Sequence, residues 1–131
     1  MQENNLFEYA IVRIVPKVER GECLNVGVVL FCKKSKFLKA KFGFDEQRIL
    51  RAFPWADVAD IKQHLLAFEQ ICIGNNQPGT IASLDVQSRF KWLTAKRSTV
   101  IQTSETHPGF CSDANLKLEQ LFTELVATPQ S

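Results

Sequence analysis

Two long apolar runs, Glu8 to Pro16 (EYAIVRIVP) and Leu24 to Phe31 (LNVGVVLF), flank a polar segment from Lys17 to Glu22 that contains Gly21. Runs rich in β-branched and aromatic residues and bounded by proline or turn residues predict strands, so the stretch reads as a β-hairpin. Both runs are apolar on both faces over their middles, which predicts central strands covered by helices on at least one side. Gly27, inside the second run, marks a bulge or the close approach of another backbone. From Phe37 to Phe44 the pattern alternates. Leu38, Ala40, Phe42 and Phe44 share one face, and Lys39 and Lys41 join Phe37 on the other, which predicts a half-exposed third strand with a basic outer face.

The period then lengthens. Asp45 reads as the N-cap of a short helix through Ile49, Leu50 and Phe53 that Pro54 ends. Val58, Ile61, Leu65, Phe68 and Cys72 recur at three and four, predicting an amphipathic helix from Ala56 to Cys72. Gly74 to Gly79 (GNNQPG) is a loop, Ser83 to Ala95 a helix with Val86, Phe90 and Leu93 inward, and Ser98 to Thr103 a strand. Ser112 or Asp113 caps a last helix whose stripe is Ala114, Leu118, Leu121, Phe122 and Leu125. Runs of strands followed by helices predict an α+β fold. The expected architecture is one domain over 1–131, with short disordered ends near 1–5 and 128–131. Its mainly antiparallel sheet takes three N-terminal strands and at least one later one, with helices packed on one face and the C-terminal helix closing the core.

Composition narrows the picture without changing it. The 131 residues and 45% hydrophobic content suit a single domain with a real core. Sixteen Lys plus Arg against 14 Asp plus Glu leave a net charge of +2, so any attraction to nucleic acid or anionic lipid must be local. Met1 to Phe7 lacks the layout of a signal peptide, and no apolar run approaches the roughly 20 residues of a membrane span, so a soluble, cytoplasmic protein is expected. Cys23, Cys32, Cys72 and Cys111 form no Cys-x-x-Cys unit and read as reduced, packed thiols.

The first candidate site is the polar set in the hairpin, Arg13, Glu22 and Asn25, because a charge within a core strand needs a partner. A three-residue turn at Glu19 to Gly21 would put Arg13 opposite Gly27 and diagonal to Asn25 on one face, and a shift of one residue would send Arg13 to the other face. Such a set serves either as a polar pocket for a partner or anion, or as a structural arginine tied to Glu22 or a backbone carbonyl. The second candidate is basic. Lys33, Lys34, Lys36, Lys39 and Lys41 occur with no acid among them, and Arg89, Lys91, Lys96 and Arg97 surround Trp92, a combination suited to phosphates and stacked bases. Lysines on an edge strand equally serve to block unwanted pairing. His107 and Cys111 lie four apart, but without a second matched pair they do not define a metal site. No phosphate loop, nucleophile motif or paired carboxylate unit is present, so no catalytic residue, metal or cofactor is assigned.

Several of these residues occur together in a known pattern. Tyr9, Arg13, Pro16, Gly21-Glu22, Asn25-Val26-Gly27-Val28, Trp92-Leu93, Arg97-Ser98, Gln102-Thr103-Ser104 and Leu121-Phe122 give a chain that, from about Tyr9 to Val126, resembles a bacterial family known as domain of unknown function number three thousand and thirty-seven. The resemblance carries no activity. It implies a neighbourhood of HipA-like kinases, and hence a non-catalytic protein-interaction or regulatory module, partnered with such a kinase through Arg13, Glu22, Asn25, Arg97, Ser98, Gln102 and Ser104. The alternative is a small nucleic-acid binder using Lys33, Lys34, Lys36, Lys39, Lys41, Arg89, Lys91 and Trp92, and the third is an enzyme whose site spacing does not reveal. The oligomeric state is left open.

Overall fold

The computed structural model describes residues 5–127, and the expectations for 1–4 and 128–131 lie outside them. Asn5, expected in a disordered end, instead opens the first strand. Five strands, β1 (Asn5–Ile14), β2 (Leu24–Cys32), β3 (Phe37–Phe42), β4 (Ile101–Thr103) and β5 (His107–Cys111), form one antiparallel sheet. The helices are α1 (Glu46–Ala52), α2 (Val58–Ile73), α3 (Val86–Thr94) and α4 (Ala114–Phe122), with a 3-10 turn at Ile81–Ser83 and a π turn at Thr123–Ala127. Asp45, Asp57, Asp85 and Asp113 each cap a helix by accepting a backbone N–H three residues on. The α+β class and the antiparallel sheet are as the sequence pattern predicts.

The strand order is β3-β2-β1-β4, with β5 also pairing β1. One edge of β1 is therefore shared: β4 takes Val12 to Ile14 and β5 takes Asn5 to Tyr9. The three residues between β4 and β5 face only Ala10 and Ile11, and Ser104 closes the gap. Its backbone N–H donates to the Ile11 carbonyl at 2.9 Å, and its Oγ accepts the Ile11 N–H at 2.8 Å. A hydroxyl thus replaces a missing ladder partner, which a buried N–H requires.

Helices cover both faces of the sheet, not one as expected. Val29 and Phe31 of β2 point with Ala10, Val12 and Ile14 into a core built with Ile49, Ile61, Leu65, Phe68, Phe90 and Leu93 from α1 to α3. Val28, Leu30 and Cys32 alternate to the other face and pack with Phe7, Cys111, Leu118 and Val126, so α4 and the π turn form a second core. The physical reason lies in β2, where every residue from Val26 to Cys32 is buried: a strand apolar on both faces needs a cover on each. Gly27 permits that density, because a Cβ there would lie 2.5 Å from the Phe42 ring and 2.6 Å from the Lys41 carbonyl oxygen.

Candidate functional site

The hairpin loop spans residues 15–23, longer than the three-residue turn expected, and the register moves with it. Val12 stands opposite Gly27 and Arg13 opposite Asn25, with Val26 the extra residue of a β-bulge. Without the bulge this register would send Arg13 to the face away from Asn25. With it, the two are direct neighbours, and Arg13 Nε donates to Asn25 Oδ1 at 3.3 Å. Arg48 Nη1 donates to the Asn25 carbonyl at 3.4 Å. On the other side of β1, Gln102 of β4 stands opposite Arg13, so Asn25, Arg13 and Gln102 form a polar row on one face.

The other residues grouped with them go elsewhere. Glu22 pairs with Arg20 at 2.7 Å on the exposed loop, which corrects the expected Arg13 partner, and the Arg20 hydrogen bond holds its carboxyl below the usual range. Ser104 is buried and committed to β1. Gln102 donates from Nε2 to the Thr99 carbonyl at 3.0 Å, so it adjoins Arg13 without bonding to it. Arg97 lies with its guanidinium carbon 4.0 Å from the centre of the Trp92 ring and donates to the Trp92 carbonyl oxygen. Ser98 is exposed on the connection to β4.

The basic candidate is divided. Lys33, Lys34 and Lys36 are exposed on the β2–β3 turn, and Lys39 is exposed on β3 with Nζ 3.3 Å from Asn115 Oδ1 of α4. Lys41 pairs with Glu119 of α4 at 2.7 Å. The basic outer face of β3 therefore lies beside α4. Arg89, expected among phosphate contacts, is buried and corrects that assignment. Its Nη1 donates to the carbonyls of Ile71 at 2.9 Å and Cys72 at 2.7 Å, and its Nε to that of Leu84 at 2.9 Å, so it closes the C-terminal turn of α2. Lys91 and Trp92 remain exposed on α3.

The four thiols differ in burial. Burial pushes the Cys72 thiol up to about 12, well out of the nucleophilic range. Cys32 and Cys111 are buried, while Cys23 is exposed, against the expectation that all four pack. His107 lies against Tyr9, ring centres 5.3 Å apart, on the strand that ends at Cys111. Among the described residues no group of three or more His, Cys, Asp or Glu could hold a metal ion.

Among the concavities of the described residues, two were not foreseen and adjoin candidate residues. One, about 670 Å³, opens beside the start of β1, where Leu6, Glu8 and Phe31 meet Lys33, Lys34 and Gln87. Phe110 stands opposite Leu6 across the β1–β5 ladder, and the two are 61% and 54% exposed. The other, about 330 Å³, lies between α2, α3 and β4 near Trp92 and Arg97. The sequence signal for the first was weak, because Leu6 precedes the predicted strand and Phe110 falls in the unassigned HPGFC stretch.

Fold and surface together define a small α+β domain with open clefts and an apolar sheet edge. The chain belongs to the family described as protein of unknown function (DUF3037), whose model matches residues 9–126. No curated protein matches the chain, and no solved structure does. No helix among the described residues is long and apolar enough to cross a membrane.

Proposed function

We propose that the protein is a non-catalytic interaction module that docks its partner on the edge formed by the start of β1 and β5. The observation that carries this reading is the Leu6–Phe110 pair. Two large apolar side chains stand directly opposite one another, exposed, beside a cleft of about 670 Å³. Exposed apolar patches rimmed by polar groups mark interaction sites. Lys33 and Lys34 on the rim favour a partner segment with apolar anchors and flanking acids. The HipA-like kinase implied by the family resemblance is the first partner to try.

The test is parallel capture from host lysate with tagged parent protein, a Leu6→Ser/Phe110→Ser variant and Arg13→Ala, at low and high salt with nuclease treatment. The expected outcome is a stoichiometric, nuclease-resistant protein retained at high salt by the parent and by Arg13→Ala, and lost from the double variant. Equal retention by all three, or recovery of nucleic acid alone at low salt, would overturn the reading, the latter in favour of Lys33, Lys34 and Lys36 as phosphate contacts.

A further inference from the structure

The cavity between α2, α3 and β4 has a different character from the docking edge. Its walls carry Phe68 and Leu93, buried in the core, with Ile101 of β4, while Trp92, Arg97 and His64 stand on its border. Its volume of about 330 Å³ is at the small end of ligand pockets, which run from roughly 300 to 1,000 Å³. Arg97 is its one guanidinium. Stacking on Trp92 and donation to the Trp92 carbonyl oxygen hold the group in place, and among the described residues no carboxylate pairs with it. No acid contributes to the cavity lining.

A planar cation fixed beside an apolar hollow and lacking an anionic partner is complementary to one anionic group on an apolar body. The charge count selects among anions. A phosphate dianion calls for a second cation, but His64 is engaged with Asp60, its Nδ1 lying 2.9 Å from the Asp60 carbonyl oxygen and 3.6 Å from Oδ2. Gln102, tied through Nε2 to the Thr99 carbonyl, adds a neutral polar group to the lining.

We propose that this cavity is a binding site for a small apolar monocarboxylate, with the carboxylate on Arg97 and the apolar body against Leu93 and Ile101. The site is independent of the docking edge, which lies at the start of β1.

The test is an NMR titration of the full chain with phenylacetate and hexanoate, and with phenylacetamide as the neutral counterpart. Saturable shifts are expected at the Arg97 Nε–H and at the Leu93 and Ile101 methyls. Phenylacetamide should bind about tenfold more weakly, the scale of one charge-assisted hydrogen bond. Arg97→Gln should abolish that preference while leaving amide binding intact. Should Arg97→Gln not fold, Gln102→Glu serves instead, and it should weaken the acid and spare the amide. Absence of saturable shifts with either acid, equal binding of phenylacetate and phenylacetamide to the parent, or shifts confined to Lys33 and Lys34 would overturn the proposal.

Discussion

Arg89 shows how a residue's role depends on its neighbours in space. In the sequence it is one cation of a basic group around Trp92; in the fold its guanidinium ends a helix seventeen and eighteen residues upstream by satisfying two carbonyls, and a third at Leu84. Replacement by Met would leave these acceptors without their donor, at a cost of about 3 kcal/mol, and Lys would not restore the fork. Urea unfolding of Arg89→Met and Arg89→Lys should show lower midpoints with unchanged slopes. Cys72, on the same turn, gives a pH signature. Its thiol titrates at about 12 in the folded chain against an ordinary 9.0, so the folded state holds the proton more tightly. Its contribution to stability is full below pH 9 and is lost as pH rises from 9 toward 12. The slope is about 1.4 kcal/mol per pH unit. Unfolding measured across this window should fall more steeply for the parent than for Cys72→Ala, whose lower overall stability is a separate cavity effect.

At the scale of elements, α4 is the informative case. Its stripe of Leu118, Leu121 and Phe122 was visible as a period, and of the two caps the sequence offered, Ser112 or Asp113, the fold uses Asp113. The face of the sheet it covers was not visible, because periodicity states that a helix has an apolar side and not which strand receives it. Leu118 is fully buried against β2, so Leu118→Ala should destabilise by about 3 kcal/mol, whereas exposed Leu116→Ala should stay within about 0.5. Thermal unfolding of the two variants checks this directly. The hairpin gives the opposite lesson. Arg13 and Asn25 were recognisable as polar intrusions in apolar strands, yet their pairing depends on one extra residue, Val26, and a bulge is a property of two strands together.

For the whole molecule, the two cores share β1 and β2 and are separated by the thickness of a single sheet. Loss of either cover exposes one side of strands whose other side still holds the remaining helices, so the layers should unfold together. Far-UV circular dichroism and tryptophan fluorescence are expected to report coincident single transitions. Leu65→Ala, in the α1 to α3 layer, and Leu118→Ala, in the α4 layer, should each lower that one midpoint without splitting it.

Hydrophobic period and capping chemistry determined most of the elements: three N-terminal strands, four helices and the aspartate cap at Asp45, and hence the α+β class, while the caps at Asp57 and Asp85 emerged only with the fold. The fifth strand escaped, because His107-Pro108-Gly109-Phe110-Cys111 has a proline and a glycine and no clear alternation, and is a strand only through its pairing with Asn5 to Tyr9. Tertiary structure alone decided which polar residues meet. It set Arg13 between Asn25 and Gln102, committed Ser104 and Arg89 to backbone groups, engaged Lys41 with Glu119, and left Leu6 with Phe110 and Arg97 with Trp92 at the open clefts. Local sequence encodes the period of each element; the partner of a buried hydrogen-bonding group is set by whatever backbone the packed layers bring within reach of it.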